Sequence, residues 1–282
     1  MLFEGSGLDV MGLDRRPIGV FDSGLGGLTA VRELERLLPA ETIIYFGDTG
    51  RVPYGSRSRE TLIKYARQDV AFLRTFDLKA IVIACGTVSS TALDVLEQEN
   101  PLPVLGVVKP AAARAVEMSR SGRIGLIGTQ ATIRTGAYER EITALRPDAQ
   151  VTALACPLFV PLVENGRFRR GDAVAELVTA EYLQAMKDAG VDTLVLGCTN
   201  YPLLSEVIGD FMGPQVALIN SGEACAAQVA VQLKEMDALT DAAAGKRLYY
   251  VSDNIADFSR LADIFLGESV KSHVGLVDVT VY

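Results

Sequence analysis

Ala80-Ile-Val-Ile-Ala-Cys85-Gly-Thr87 and Thr193-Leu-Val-Leu-Gly-Cys198-Thr-Asn200 are two versions of one pattern, an apolar run that stops at a small residue and is followed at once by cysteine. Runs this short, rich in branched apolar residues and bounded by turn formers, read as buried strands of a parallel sheet. Upstream of each lies a second matched pair. Arg16-Pro-Ile18-Gly-Val-Phe-Asp-Ser23 leads into a helical stretch closing on Leu37-Leu-Pro39, and Gly122-Arg-Ile124-Gly-Leu-Ile-Gly-Thr129 leads into one closing on Leu145-Arg-Pro147. Both halves therefore run strand, small hydroxyl residue, helix and proline, with a strand and a cysteine further on. The expectation is two related α/β units facing each other. Each places one thiol at the carboxyl end of a strand, where open α/β sheets hold their ligands.

The strand candidates are Ile18–Phe21, Ile43–Phe46, Ile81–Ala84, Val104–Gly106, Ile124–Ile127, Val151–Leu154, Thr193–Leu196 and Val216–Ile219. Amphipathic stretches such as Leu28–Leu38, Ser58–Phe76, Ala173–Ala189 and Glu223–Met236 mostly open near Ser, Thr or Asp and close near Gly or Pro. The alternation predicts a doubly wound α/β fold.

Composition narrows the function. The chain has 282 residues, 49% of them apolar and 22% charged, which suits a soluble globular protein of about two domains. Lys and Arg number 27 against 35 Asp and Glu, a net charge of −8. Such a surface repels phosphates, so neither nucleic acid nor an anionic membrane is expected as a partner. No uninterrupted apolar run reaches the ~18 residues of a membrane span, and Met1–Arg16 lacks the order of a secretory signal. Cytoplasmic localisation with four reduced cysteines is the expectation. Met1–Arg16 reads as an extension in which Met11 is an alternative start. A single histidine, His273, and the absence of Cys-x-x-Cys leave little material for a zinc site or a histidine-dependent triad, and no metal is expected. His273 reads as a structural or surface residue.

A cysteine between a strand and the next helix sits near backbone N–H groups and the positive end of a helix dipole, a setting expected to favour thiolate over thiol. Either cysteine alone is equally a small buried hydrophobe. The matched placement of Cys85 and Cys198 tips the reading to function, whereas Cys156 and Cys225 lack an echo in the other half and read as packing. Two thiols on opposite sides of one small molecule suit inversion at a stereocentre: one, as thiolate, takes a proton from carbon while the other, as thiol, returns one to the opposite face. Disulfide chemistry is the competing use of such a pair.

Asp22-Ser-Gly-Leu-Gly-Gly27 follows the first strand and opens a helix, offering hydroxyl and backbone donors of the kind a carboxylate requires. Lacking both Gly-Lys-Ser/Thr and the third glycine of a dinucleotide fingerprint, it is a poor nucleotide loop. Asp22 in this loop is a candidate for binding a substrate ammonium or assisting a base. Gly47-Asp-Thr-Gly-Arg-Val-Pro-Tyr-Gly55 follows the second strand, and Tyr54 and Gly55 are candidate carboxylate donors or simply a turn.

With these motifs in place, together with Gly106-Val-Val-Lys-Pro-Ala111, Pro161-Leu-Val-Glu164 and Leu196-Gly-Cys-Thr-Asn-Tyr-Pro-Leu-Leu204, the chain resembles the bacterial glutamate racemases of the cofactor-independent aspartate/glutamate racemase superfamily, from Ile18 to about Gly222. The resemblance implies interconversion of L- and D-glutamate without pyridoxal phosphate or metal, supplying D-glutamate for peptidoglycan, by a homodimer. It implies two pseudo-symmetric α/β domains with the active site in the cleft between them: residues 1–108 plus 219–282 carrying Cys85, and residues 109–218 carrying Cys198. Cys85 and Cys198 correspond to the catalytic acid/bases, with Asp22 and Glu164 as auxiliary acids. Asp22, Ser23, Tyr54, Gly55, Gly86, Thr87, Thr129, Thr199 and Asn200 are the expected substrate-binding positions.

Two residues depart from the pattern of that family. Gly86 stands where the first cysteine motif usually has asparagine, and Asn200 stands where the second usually has histidine. Asparagine donates a hydrogen bond but takes up no proton at neutral pH, so Cys198 is expected to be the less readily activated base. A racemase of aspartate or a related amino acid, and a binding-only relative lacking the histidine, are the alternatives.

Overall fold

The computed structural model describes residues 14–266 and 274–282. His273 and most of Met1–Arg16 lie outside the described residues. Among the described residues, ten strands form two wholly parallel sheets, ordered β10-β9-β2-β1-β3-β4 and β6-β5-β7-β8. The first contains β1 (Ile18–Asp22), β2 (Ile43–Gly47), β3 (Ala80–Ile83), β4 (Val104–Gly106), β9 (Arg247–Val251) and β10 (Val274–Leu276). The second contains β5 (Arg123–Gly128), β6 (Gln150–Ala155), β7 (Thr193–Leu196) and β8 (Ala217–Asn220).

Helices α1 (Leu28–Leu37), α2 (Arg59–Leu73), α3 (Gly86–Thr91), α4 (Leu93–Glu99) and α5 (Val108–Met118) alternate with the early strands. Then come α6 (Gln130–Thr135), α7 (Ala137–Leu145), α8 (Phe159–Glu164), α9 (Ala173–Asp188), α10 (Ser205–Met212), α11 (Ser221–Glu235) and α12 (Ile255–Leu266). Local chemistry sets several starts: the side chains of Ser58, Thr129, Asp172 and Asn220 accept backbone N–H groups at the first turns of α2, α6, α9 and α11. The central strands β1, β2, β3 and β7 are buried throughout, as strands covered by helices on both faces require.

The internal repeat survives as topology. In one sheet the order β2-β1-β3-β4, and in the other β6-β5-β7-β8, place equivalent strands in equivalent positions. The winding reverses between β1 and β3 and again between β5 and β7, and these reversals open the crevices in which doubly wound sheets bind ligands. Asp22 ends β1, Cys85 lies two residues past β3, Thr129 follows β5, and Cys198 lies two residues past β7.

All eight expected strands form, but β9 and β10 were not among them. Arg247-Leu-Tyr-Tyr-Val251 is a short aromatic and branched run beside Gly245, a legible strand signal, and it pairs with β2 across its full length. Strand β8 runs to Asn220 inside the four-stranded sheet, so the expected crossing at 218/219 falls within a strand.

Candidate active site

The carboxyl ends of both sheets enclose a cavity of about 360 Å³. Cys85 and Cys198 both line it, and so do Asp22, Ser23, Tyr54, Gly55, Gly86, Thr87, Thr129, Glu164, Thr199 and Asn200. The residues singled out in both halves thus meet at one place. Ser56 and Gln130 add polar lining, and Val52, Pro53, Val160 and Pro161 add apolar walls, none of which was singled out. Ser56 and Gln130 directly follow the flagged Gly55 and Thr129, which was the available signal. Cys156 and Cys225 lie outside the described lining of the cavity. Both are buried, with their thiols beside the carbonyls of Leu154 and Gly106.

Cys85 is the N-cap of α3 and donates its thiol to Ser23 Oγ at 3.4 Å. The expected shift toward thiolate does not survive burial. Desolvation and the charge of Asp22 push the thiol up to about 11, against the opposing pull of Ser23 and the Val88 amide. Cys198 is followed by a 3₁₀ turn at Tyr201–Leu204 rather than an α-helix, and burial pushes it up to about 12 although the Asn200 backbone N–H favours the thiolate. In the free protein both groups are therefore thiols at neutral pH.

Asp22 is 2% exposed and accepts hydrogen bonds from the Gly24 amide at 2.9 Å and the Thr199 hydroxyl at 3.2 Å. Burial pushes its carboxyl above the ordinary carboxylate range, against the pull of the Gly24 and Gly27 amides and the Thr199 hydroxyl. Glu164, at the end of α8, is likewise pushed up by burial and then by the charge of Asp22. The Tyr54 hydroxyl points away from this chemistry, into Asp48 and Asp69, so the donors that Tyr54 and Gly55 can turn to the cavity are backbone groups.

The two halves interlock around the thiols. Thr29 donates to the Thr199 carbonyl at 2.9 Å, and the Thr87 and Thr129 hydroxyls lie 2.9 Å apart. A Cβ on Gly26 would lie 2.4 Å from Thr199 Oγ1 and 2.7 Å from Asn200 Nδ2, so the first loop needs glycine to receive the second. A Cβ on Gly86 would lie 2.2 Å from the Gly197 carbonyl oxygen. This is a physical reason for glycine at a position where an asparagine was the expectation: the facing backbone already fills that space. Asn200 Nδ2 lies 3.9 Å from Cys198 Sγ, while its buried Oδ1 has no hydrogen-bond partner among the described residues. No group of three or more His, Cys, Asp or Glu side chains among the described residues could hold a metal ion.

The Asp/Glu/Hydantoin racemase pattern matches residues 18–229, including both cysteine turns. The chain belongs to the Asp/Glu racemase family. A glutamate racemase of this family from Geobacter metallireducens is 47% identical over 253 residues, covering 89% of this chain and 93% of its own length. The crystal structure of glutamate racemase from Francisella tularensis in complex with D-glutamate superposes with a TM-score of 0.88 at 36% identity, covering 95% of this chain and 99% of that one. The Thermus thermophilus glutamate racemase, in complex with β-chloro-D-alanine, gives 0.85 at 44% identity, covering 94% and 98%. The family fold is the two-domain α/β architecture described above.

Proposed function

We propose that this chain is an amino-acid racemase that interconverts L- and D-glutamate, an isomerase supplying D-glutamate for peptidoglycan. The observation that carries the reading is the pair of thiols, one from each half, opening into a single cavity in a chain whose family relatives are glutamate racemases. No step is routed through a metal or organic cofactor.

In one direction Cys85, as thiolate, takes the α-proton. The C–H electron pair stays on the substrate as a carbanion delocalised into its carboxylate, and the Cys198 thiol gives its proton to the opposite face. One thiol and one thiolate remain with their roles exchanged, and the reverse direction begins at Cys198. Burial disfavours either thiolate in the free protein. Entry of the substrate ammonium brings positive charge beside the sulfurs and favours ionisation. Asp22 is assigned to hold that ammonium and, with Glu164, to buffer the proton inventory. Ser23, the Tyr54–Gly55 turn, Gly86, Thr87, Thr129, Thr199 and Asn200 are assigned to the two carboxylates and to exclusion of water, which strengthens each contact.

The proposed domains are residues 1–108 with the segment after β8, carrying Cys85, and residues 109–220, carrying Cys198. The division is supported by strand membership and moves the second crossing from 218/219 to the end of β8. The proposed setting is the cytoplasm. All four cysteines are unpaired, and no described helix is long and apolar enough to cross a membrane. The assignment as a homodimer rests on resemblance.

Incubation with L- or D-glutamate in D₂O tests the function. Loss of the α-proton by NMR with appearance of the opposite enantiomer by chiral chromatography is expected, and Cys85→Ala and Cys198→Ala each abolish it. Exchange with aspartate but not glutamate would transfer the reading to another substrate, and binding without exchange would reject catalysis.

A further inference from the structure

Behind the Tyr54–Gly55 turn, on the side away from the cavity, lies a buried polar cluster that the reaction as written does not use. Asp48 and Asp69 have no exposed surface, and Arg51 bridges them, with Nε 2.5 Å from Asp48 Oδ2 and Nη2 2.7 Å from Asp69 Oδ1. The Arg51 guanidinium also donates to Gln68 Oε1 at 2.6 Å and stacks over the Tyr65 ring, 4.2 Å from its centroid. The Tyr54 hydroxyl contacts Asp48 Oδ2 and, at 3.2 Å, Asp69 Oδ2. Ser252, beyond β9, donates to Asp48 Oδ1 at 2.7 Å.

The proton arithmetic of the cluster is closed. A phenol has one hydrogen to offer two carboxyl groups. Two buried anions facing one cation leave a negative charge in low dielectric, an arrangement that favours uptake of a proton. Burial first, and the Asp48 charge next, push Asp69 well above the ordinary carboxylate range. The Tyr54 phenol donates to Asp48 and faces Asp69 Oδ2 at 3.2 Å, and Arg51 donates to both carboxyl groups.

The cluster holds the turn from behind, and the front of the turn does two jobs. Gly55 packs against Thr129, to which a Cβ would approach within 2.9 Å, and its carbonyl accepts the Ala131 amide of α6 at 2.9 Å. The Asp48 amide donates to the Asp22 carbonyl at 3.0 Å, tying the cluster to the first loop of the site.

We infer that Asp69, acting through Arg51 and the Tyr54 hydroxyl, is a positioning residue that fixes the Tyr54–Gly55 turn in register for a substrate carboxylate. The inference rests on the proposed racemase reading for the identity of that substrate, but not for the mechanics of the turn. A contact made equally in the bound substrate and in the transition state moves KM and leaves kcat alone.

Tyr54→Phe removes one hydroxyl and keeps the ring. KM for both glutamate enantiomers should rise about tenfold, the loss of one well-placed hydrogen bond to a charged group, with kcat within threefold. Asp69→Ala should do the same. Asp69→Asn keeps an oxygen for Arg51 and an N–H for the phenol, so it should stay within threefold of the parent. Amide hydrogen exchange across residues 52–56 should accelerate in Tyr54→Phe and Asp69→Ala, and not in Asp69→Asn. Unchanged KM in Tyr54→Phe, or a fall in kcat and melting temperature at constant KM, overturns the inference, as does Asp69→Asn behaving like Asp69→Ala. If the parent protein leaves glutamate untouched, the proposed function falls, while the exchange measurement still decides the role of Asp69.

Discussion

Replacing Gly86 by alanine tests how closely the two halves must approach for the thiols to work. The added Cβ would sit 2.2 Å from the Gly197 carbonyl oxygen and 3.7 Å from Cys198 Cα. An ordinary carbon–oxygen contact is about 3.3 Å, so one backbone must retreat by about 1 Å. Neither partner is the flexible end of a side chain. Gly86 follows Cys85 and Gly197 precedes Cys198, so the retreat goes directly into the gap between the sulfurs. A misplacement of that size costs about 100-fold in rate, or about 2.7 kcal/mol of activation free energy. Initial rates from each enantiomer, followed by chiral chromatography beside thermal unfolding, separate the outcomes. The expected result is a kcat/KM lower by about two orders of magnitude in a variant that still folds, with a melting temperature lowered by the ~1–3 kcal/mol that overpacking a buried contact costs. A variant within threefold of the parent in both directions would refute the idea that this contact sets the spacing.

Four other outcomes follow from the structure. Asn200→His supplies a proton acceptor beside Cys198 and should raise kcat/KM equally for both enantiomers, as an equilibrium constant of one requires; a kcat/KM unchanged from the parent would show that the amide is no handicap. Because burial holds the free thiols at about 11 and 12, alkylation of Cys85 and Cys198, read by peptide mass spectrometry, should rise about tenfold per pH unit from 7 to 10. In Asp22→Asn a charge that raises both thiols is gone, so alkylation at pH 8 should quicken even as racemisation falls; slower alkylation would contradict the sign. Finally, Lys79 and Glu41 form an ion pair at 2.6 Å with side chains 0% and 3% exposed, at the amino end of the first sheet and away from the cavity. Lys79→Met should cost about 3–5 kcal/mol in denaturant unfolding, since it strands a buried carboxylate, and an unchanged midpoint would discount the pair.

The architecture was legible because parallel strands buried on both faces leave a strong apolar signature, and because the chain states it twice. Strand β9 carries a weaker form of that signature, an aromatic and branched run opened by Arg247 and only partly buried along its length, and its pairing with β2 completes it. The cleft residues were legible for a related reason: ligand-facing loops follow strand ends, and strand ends can be counted. What the sequence could not convey was the balance of opposing fields at those ends. Nearby hydrogen-bond donors favour a thiolate and burial disfavours it, and burial is the larger effect at both cysteines. Nor could it convey contacts between distant loops, such as Thr87 with Thr129, or the turning of the Tyr54 hydroxyl away from the cavity.

The strand order also imposes a timetable on synthesis. Strands β5 to β8 come from one continuous stretch, so the smaller sheet can close while the chain is still emerging. The larger sheet cannot. Strand β2 waits for β9, about two hundred residues downstream, and until then it is an apolar edge open to pairing with another nascent chain. The edge of the larger sheet is therefore closed last, when the late strands return to flank those made first.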